Sequence, residues 1–272
     1  MASTRESPDP QHPSDPGQAE ASSIPRITTR RILSLALPAL GALIAEPLFT
    51  VIDSTMVGHL GTPELAGLGI ASTVLNTAVG LFVFLAYSTT SLAGRHLGAG
   101  RRDRAIRSGV EAMWLAGALG VLAALLLAVC ASPLLSWLGA DAETMPHALA
   151  YLRSSAPGLV GMFVVLAATG TLRGLQDTRT PLVAASVGAA FNAAANWTLM
   201  YPLGLGVAGS GLGTAITQSL MALFLAWVIV RGARREGVEL SPSVAGIFSA
   251  AAEGAPLLVR TLALRVALLA TL

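Results

Sequence analysis

From Arg31 onward the chain is a succession of apolar runs of twenty or more residues, separated by short polar, glycine-rich or basic connections. A helix rises about 1.5 Å per residue, so each run is long enough to cross roughly 30 Å of hydrocarbon. The pattern predicts transmembrane helices over 32–58, 66–93, 108–132, 146–170, 181–202 and 207–231, with a seventh run over 247–272. Residues 1–25 are different: Pro, Ser, Asp and Gln dominate and almost nothing apolar is available to bury, so they read as a disordered cytoplasmic tail. A secretory leader is not expected there, because no basic stretch followed by an apolar core and a small-residue cleavage site is present. The expected organisation is a tail (1–25), a six-helix transmembrane lobe (26–235), a cytoplasmic linker (236–246) and the first helix of a truncated second lobe (247–272).

Composition narrows this to an all-α integral membrane protein. Of the 272 residues 53% are hydrophobic and 12% charged, where a soluble domain is about a quarter charged. Such a chain cannot cover a globular surface with polar groups. All seventeen basic residues are arginine, and a net charge of +2 is too small for a nucleic-acid surface. Cys130 is the single cysteine, which rules out an intrachain disulfide and any CxxC metal or redox motif. No HExxH or GxSxG motif supports an intramembrane enzyme.

The arginines orient the bundle. Arg5, Arg26, Arg30 and Arg31 precede helix 1. Arg95, Arg101, Arg102, Arg104 and Arg107 lie between helices 2 and 3. Arg173 and Arg179 lie between 4 and 5, and Arg231, Arg234 and Arg235 between 6 and 7. Fourteen of the seventeen thus fall on one side, which the positive-inside rule makes cytoplasmic, with the N-terminus. The connections on the other face, 59–64, 138–147 and 202–211, are glycine-rich or acidic. Trp137, Trp197 and Tyr201 fall at that boundary, as an aromatic belt does.

Ionisable groups inside a membrane cost roughly 2.5–3.5 kcal/mol on insertion scales, so they face protein or water and mark pathways. Helix 1 carries two, Glu46 and Asp53, seven residues apart and therefore on nearly one face, about 10 Å apart along the axis. They can line one cavity without sharing a proton, and each is a candidate proton carrier, with a brace for a neighbouring helix as the alternative. Pro38 and Pro47 interrupt the same helix and free carbonyls at Ser34 and Leu43; they either line a cavity and permit bending or make a static kink. Phe49 and Thr50 lie between the acids and offer an aromatic wall and a hydroxyl to a substrate cavity. Asn192 and Asn196 share a face of helix 5 with Gly188 and Ala184, suited to close helix packing or to coordinating a cation. Thr214 and Gln218 form a similar pair on helix 6.

These residues, taken in order, resemble a known family. The stretch LALPALGALIAEPLFTVIDSTMVGHLGTPELAGLGIAS (35–72) is similar to the opening of the multidrug and toxic compound extrusion (MATE) transporters, DinF-like branch. STTSLAGRHLGAGRRDRA (88–105), RGLQDTRTP (173–181), GLGVAGSGLGTAI (204–216) and APLLVRTLALR (255–265) continue the resemblance. It implies a twelve-helix antiporter in which two six-helix lobes enclose a cavity and inward proton or sodium movement drives export of amphipathic, often cationic compounds. On that resemblance Asp53 is the helix 1 carboxylate of coupling, Asn192 the helix 5 asparagine and Thr214 the helix 6 hydroxyl of one polar cluster. Asn196 departs from the pattern, since relatives commonly have aspartate there. A sodium site at Asp53, Asn192 and Thr214 loses a hard carboxylate ligand by that exchange, which favours protons.

The expectation is therefore a proton-coupled exporter without a cofactor, in the cytoplasmic membrane, with Asp53, Asn192, Asn196 and Thr214 at the coupling site and Glu46, Phe49 and Thr50 at the substrate cavity. Its partners are a small-molecule substrate, membrane lipid, and a second lobe or another copy of the chain, because 272 residues amount to one lobe and one helix more. The alternatives are a truncated, non-transporting fragment and a lipid flippase of related architecture.

Overall fold

The computed structural model describes Leu40, Ile44, Pro47 and residues 50–270. Its elements are helices. α1 is helical at Leu40, Ile44 and Pro47 and continuously over 50–58. It is followed by α2 (Thr62–Leu81), α3 (Phe84–Gly98), α4 (Arg102–Trp137), α5 (Thr144–Ser155), α6 (Gly158–Gly174), α7 (Arg179–Met200), α8 (Gly206–Arg235) and α9 (Val244–Ala270). Glu46, Phe49 and Pro38 lie outside the described residues.

Two of the predicted spans are broken. The helix expected over 66–93 is α2 and α3, separated at Phe82 and Val83. That expected over 146–170 is α5 and α6, bent by 53°. Pro157 sits at this second break; it lacks the N–H that an unbroken helix would use and its ring crowds the preceding turn. A count of apolar residues sees neither break, because both halves of each pair are apolar. Among the described residues, four stretches are long and apolar enough to cross a membrane: Thr62–Gly98, Arg102–Trp137, Arg179–Met200 and Gly206–Arg235. The bent pair makes a fifth if it counts as one span.

The packing inverts the soluble pattern. α6 is buried along its length by small and apolar residues, including Leu159, Phe163, Ala167, Ala168 and Leu172, and it packs against α3, α4 and α8. Large apolar side chains face outward instead. Along α4 the exposed stripe runs through Val121, Leu122, Leu125, Leu126 and Val129, at the spacing of one helix face. An apolar stripe of this kind facing outward is the surface a lipid bilayer solvates, whereas soluble monomers rarely expose patches of that size.

Between helices, small residues replace the bulky knobs of a soluble core. α8 approaches α7 through Gly209 and Gly213, one turn apart. A Cβ at Gly209 would lie 2.7–2.9 Å from backbone atoms of Leu199 and Met200, and one at Gly213 would collide with the Asn196 side chain. Close backbone approach of this sort is how helices associate where no hydrophobic gain exists between them.

The short connections carry their own chemistry. Asp141 accepts the Glu143 and Thr144 N–H groups and the Thr144 hydroxyl, and these donors hold its carboxyl below the usual carboxylate range. Asp177 does the same for α7, accepting the N–H groups of Arg179 and Thr180 with Oδ1 and the Thr180 hydroxyl with Oδ2.

Candidate functional site

α1, α5, α7 and α8 bring their polar residues together near one end of the bundle. Asp53 is about one and a half turns before the end of α1, Asn196 a similar distance before the end of α7, and Ser210 just inside the start of α8. Tyr201, one residue past α7, donates its hydroxyl to the Met56 carbonyl at 2.7 Å. That bond clamps α1 to α7 beside the cluster.

Within it, Asn196 Nδ2 donates to Asp53 Oδ1 at 3.0 Å and to Asn192 Oδ1 at 3.2 Å. Asn192 Nδ2 donates in turn to Thr214 Oγ1 at 3.4 Å. Ser210 donates its hydroxyl to Asp53 Oδ1, and Tyr151 on α5 lines the same cavity as Thr214. Asn192, Asn196, Ser210 and Tyr151 are buried, and Asp53 is 8% exposed. Polar groups placed this deep must find partners, and here they find one another.

The geometry has a chemical reading. Both hydrogen bonds that Asp53 accepts from described residues end on Oδ1. Both donors are neutral, so among the described residues no cation holds the carboxyl group. An acid held in this way can gain and lose a proton at its other oxygen while its position stays fixed.

Asp53 also lines a cavity of about 300 Å³ that runs between the helices. Thr50, Asn192 and Thr214 line it as well, together with Ser72, Asn76 and Gln218 midway along it. The structure therefore brings Asp53, Asn192, Asn196 and Thr214 into one hydrogen-bonded cluster and sets Thr50 in the same cavity wall. Asn196 is fully buried, which leaves the Asn196-Trp197-Thr198 sequence inaccessible to glycosylation in this fold.

Two residues of the site are absent from the sequence reading. Ser210 falls where the predicted helix 207–231 overlaps the stretch read as an external connection, 202–211, and was not singled out; α8 begins at Gly206. The signal was the spacing: Ser210 and Thr214 are four apart and alternate with Gly209 and Gly213, so one helix face carries both hydroxyls. Tyr151 had no such signal, because periodicity does not say that α5 packs against α8. Replacing Ser210 with alanine removes one of the two donors on Oδ1. The expected result is a loss of about 1–2 kcal/mol of stability with Asp53 still held by Asn196, read as a lower unfolding midpoint of the purified chain.

A lobe of apolar helices with Asp53, the buried carboxyl group among the described residues, at a polar cavity defines a helical membrane protein. The chain belongs to the MatE family, whose model matches residues 38–198. It is 32% identical over 249 residues to protein DETOXIFICATION 44, chloroplastic, of Arabidopsis thaliana, covering 87% of this chain and 46% of that one. It is 31% identical over 188 residues to DNA damage-inducible protein F of Escherichia coli strain K12, covering 68% and 40%. Crystal structures of MATE in the bent and straight conformations match at 25% identity, with TM-scores of 0.78 and 0.77. They cover 88% of this chain and 55% and 54% of those chains. The chain spans about half the length of the curated relatives it matches.

Proposed function

We propose that this chain is the N-terminal lobe of a proton-coupled exporter of amphipathic compounds in the cytoplasmic membrane, with its N-terminus in the cytoplasm. The observation that carries this reading is Asp53: the buried carboxyl group among the described residues, on a helix containing Pro47, held by neutral donors and facing the cavity. Substrate enters the cavity from the cytoplasm. A proton taken up at Asp53 from outside favours release, and the bending of α1 at Pro47 couples the two events. Asn196, Asn192 and Thr214 orient the carboxyl group through the hydrogen bonds described above, and Ser210 joins them. The transporting unit holds two lobes, since the relatives are about twice as long as this chain; the second is supplied by another stretch of protein or another copy.

Protons are favoured over sodium by Asn196. Its Nδ2 donates to Asp53 and to Asn192, and where it meets Asp53 a sodium ion would require an oxygen. In vesicles holding the two-lobe transporter, export follows an imposed pH gradient and ignores an imposed sodium gradient. Export driven by sodium alone overturns the proton assignment. Asn196→Asp supplies the missing carboxylate oxygens, and its expected effect is that sodium-driven export appears in the same vesicles.

A further inference from the structure

We propose that Arg173 forms an anion-binding subsite at the far end of the cavity, so that the substrate is an amphipathic compound bearing a carboxylate, sulfonate or phosphate group. The inference rests on reading this cavity as the substrate path, and it narrows the class of compound that occupies it.

Arg173 lines the same cavity as Asp53, but at the opposite end. Three helices fix the separation. The cavity wall on α6 extends from Met162 to Arg173, that on α7 from Asn192 to Pro181, and that on α8 from Thr214 to Leu225. Each interval is eleven residues, which at about 1.5 Å per residue is roughly 16 Å. Asn192 and Thr214 belong to the Asp53 cluster, so Arg173 and Pro181 mark the other pole. Among the described residues, Asp53 and Arg173 are the charged side chains of the lining.

Arg173 is half-buried, and among the described residues no carboxylate pairs with it. The acid nearest in sequence, Asp177, has both oxygens engaged at the start of α7. A guanidinium presents five N–H donors in a planar fork suited to carboxylate, sulfonate or phosphate oxygens. Partial burial strengthens such a contact relative to one in open water. Between the poles the wall is mainly apolar, through Val165, Leu166 and Met221, with Ser72, Asn76, Thr169 and Gln218 as neutral polar groups. The occupant that fits is an elongated apolar body with its anionic head at Arg173.

The test compares two probes that share one ring system: 8-anilinonaphthalene-1-sulfonate and its uncharged parent, N-phenyl-1-naphthylamine. Each is titrated by fluorescence into the purified chain in phosphatidylcholine nanodiscs, with empty discs subtracted. The wild-type chain binds the sulfonate more tightly than the parent. Arg173→Gln weakens the sulfonate by about tenfold or more, the scale of a lost charge-assisted hydrogen bond, and leaves the parent unchanged. Arg173→Lys keeps a cation and retains intermediate affinity, which separates loss of charge from loss of fold. Arg179→Gln, at an exposed position outside the lining, has no effect.

Equal sulfonate affinity in wild type and Arg173→Gln overturns the inference, as does an equal loss in Arg179→Gln. Binding of the parent alone also overturns it while leaving the proposed transport intact. Binding of neither probe removes the cavity as a substrate site, and the proposed function falls with it. Adding phosphatidylglycerol to the discs identifies the source of the anion. Unchanged sulfonate affinity supports a free amphiphile; competition that disappears in Arg173→Gln supports the same anion site filled by a lipid headgroup.

Discussion

An asparagine at position 53 leaves the lobe folded and abolishes proton-driven export. The carboxamide has almost the shape of the carboxyl group, and its oxygen can still accept from Ser210 and Asn196, which both donate to Oδ1 in the native cluster. The change falls on the other position, where an oxygen able to bind and release a proton becomes an NH₂ that can do neither. Stability therefore shifts little, and the unfolding midpoint of the purified chain shows it. Proton-driven flux in vesicles holding the two-lobe transporter falls on the order of a hundredfold or more, the scale at which removing a positioned proton carrier acts. Flux at the wild-type rate would place the coupling proton elsewhere.

The second large effect is structural. Leucine at position 209 separates α8 from α7 and takes the site apart. The added Cβ meets the backbone of Leu199 and Met200, and a backbone inside a helix cannot swing aside as a flexible side chain can. Overpacking of this kind costs about 1–3 kcal/mol, and the displacement carries Ser210, the next residue, away from Asp53. The expected result for Gly209→Leu is a lower melting temperature and a reduced yield of monodisperse protein on size exclusion. Gly117→Ala is the control: nothing lies within 4 Å of its Cβ position, and alanine favours the helix by up to about 1 kcal/mol. Gly209→Leu melting like the wild type would show that the α7–α8 seam does not support the cluster.

How much of this was legible in the sequence depends on which physical rule each feature obeys. Run length reports desolvation, so long apolar stretches located the spans and the scarcity of charge located the membrane. Helical spacing reports shared faces, so Asn192 with Asn196 and Thr214 with Gln218 could be paired before any coordinates. That Asp53 meets Asn196 and Ser210, across 143 and 157 residues of chain, depends on which helices adjoin, and periodicity carries no such information. The turn at Phe82–Val83 and the bend at Pro157 were hidden because hydropathy reports neither a local turn nor a change of direction. Ser210 lies inside the predicted helix 207–231 but was passed over, because the same stretch was read as part of the external connection 202–211. Arg173 was legible only as one more basic residue orienting the bundle; its place in the cavity wall follows from where α6 ends relative to α3 and α7. Glu46 and Phe49 lie outside the described residues, and their part in the cavity stays with the sequence reading.

The cluster and Arg173 place the two poles of the cavity in different chemical roles. At one end a neutral hydrogen-bonding cluster holds a carboxyl group that can change its charge. At the other a guanidinium keeps its charge throughout. On the proposed function the two poles divide the work, with the coupling proton at Asp53 and the substrate's head at Arg173, and exchange requires that a conformational change link them.

That linkage can be measured directly as proton release when substrate binds. In weakly buffered solution, adding a transported amphiphile to the detergent-solubilised two-lobe transporter should release protons from the wild type, because in the proposed exchange substrate binding and protonation at Asp53 oppose each other. The Asp53→Asn variant should bind the same compound and release none. Equal proton release from both proteins would contradict the assignment of Asp53 as the coupling group.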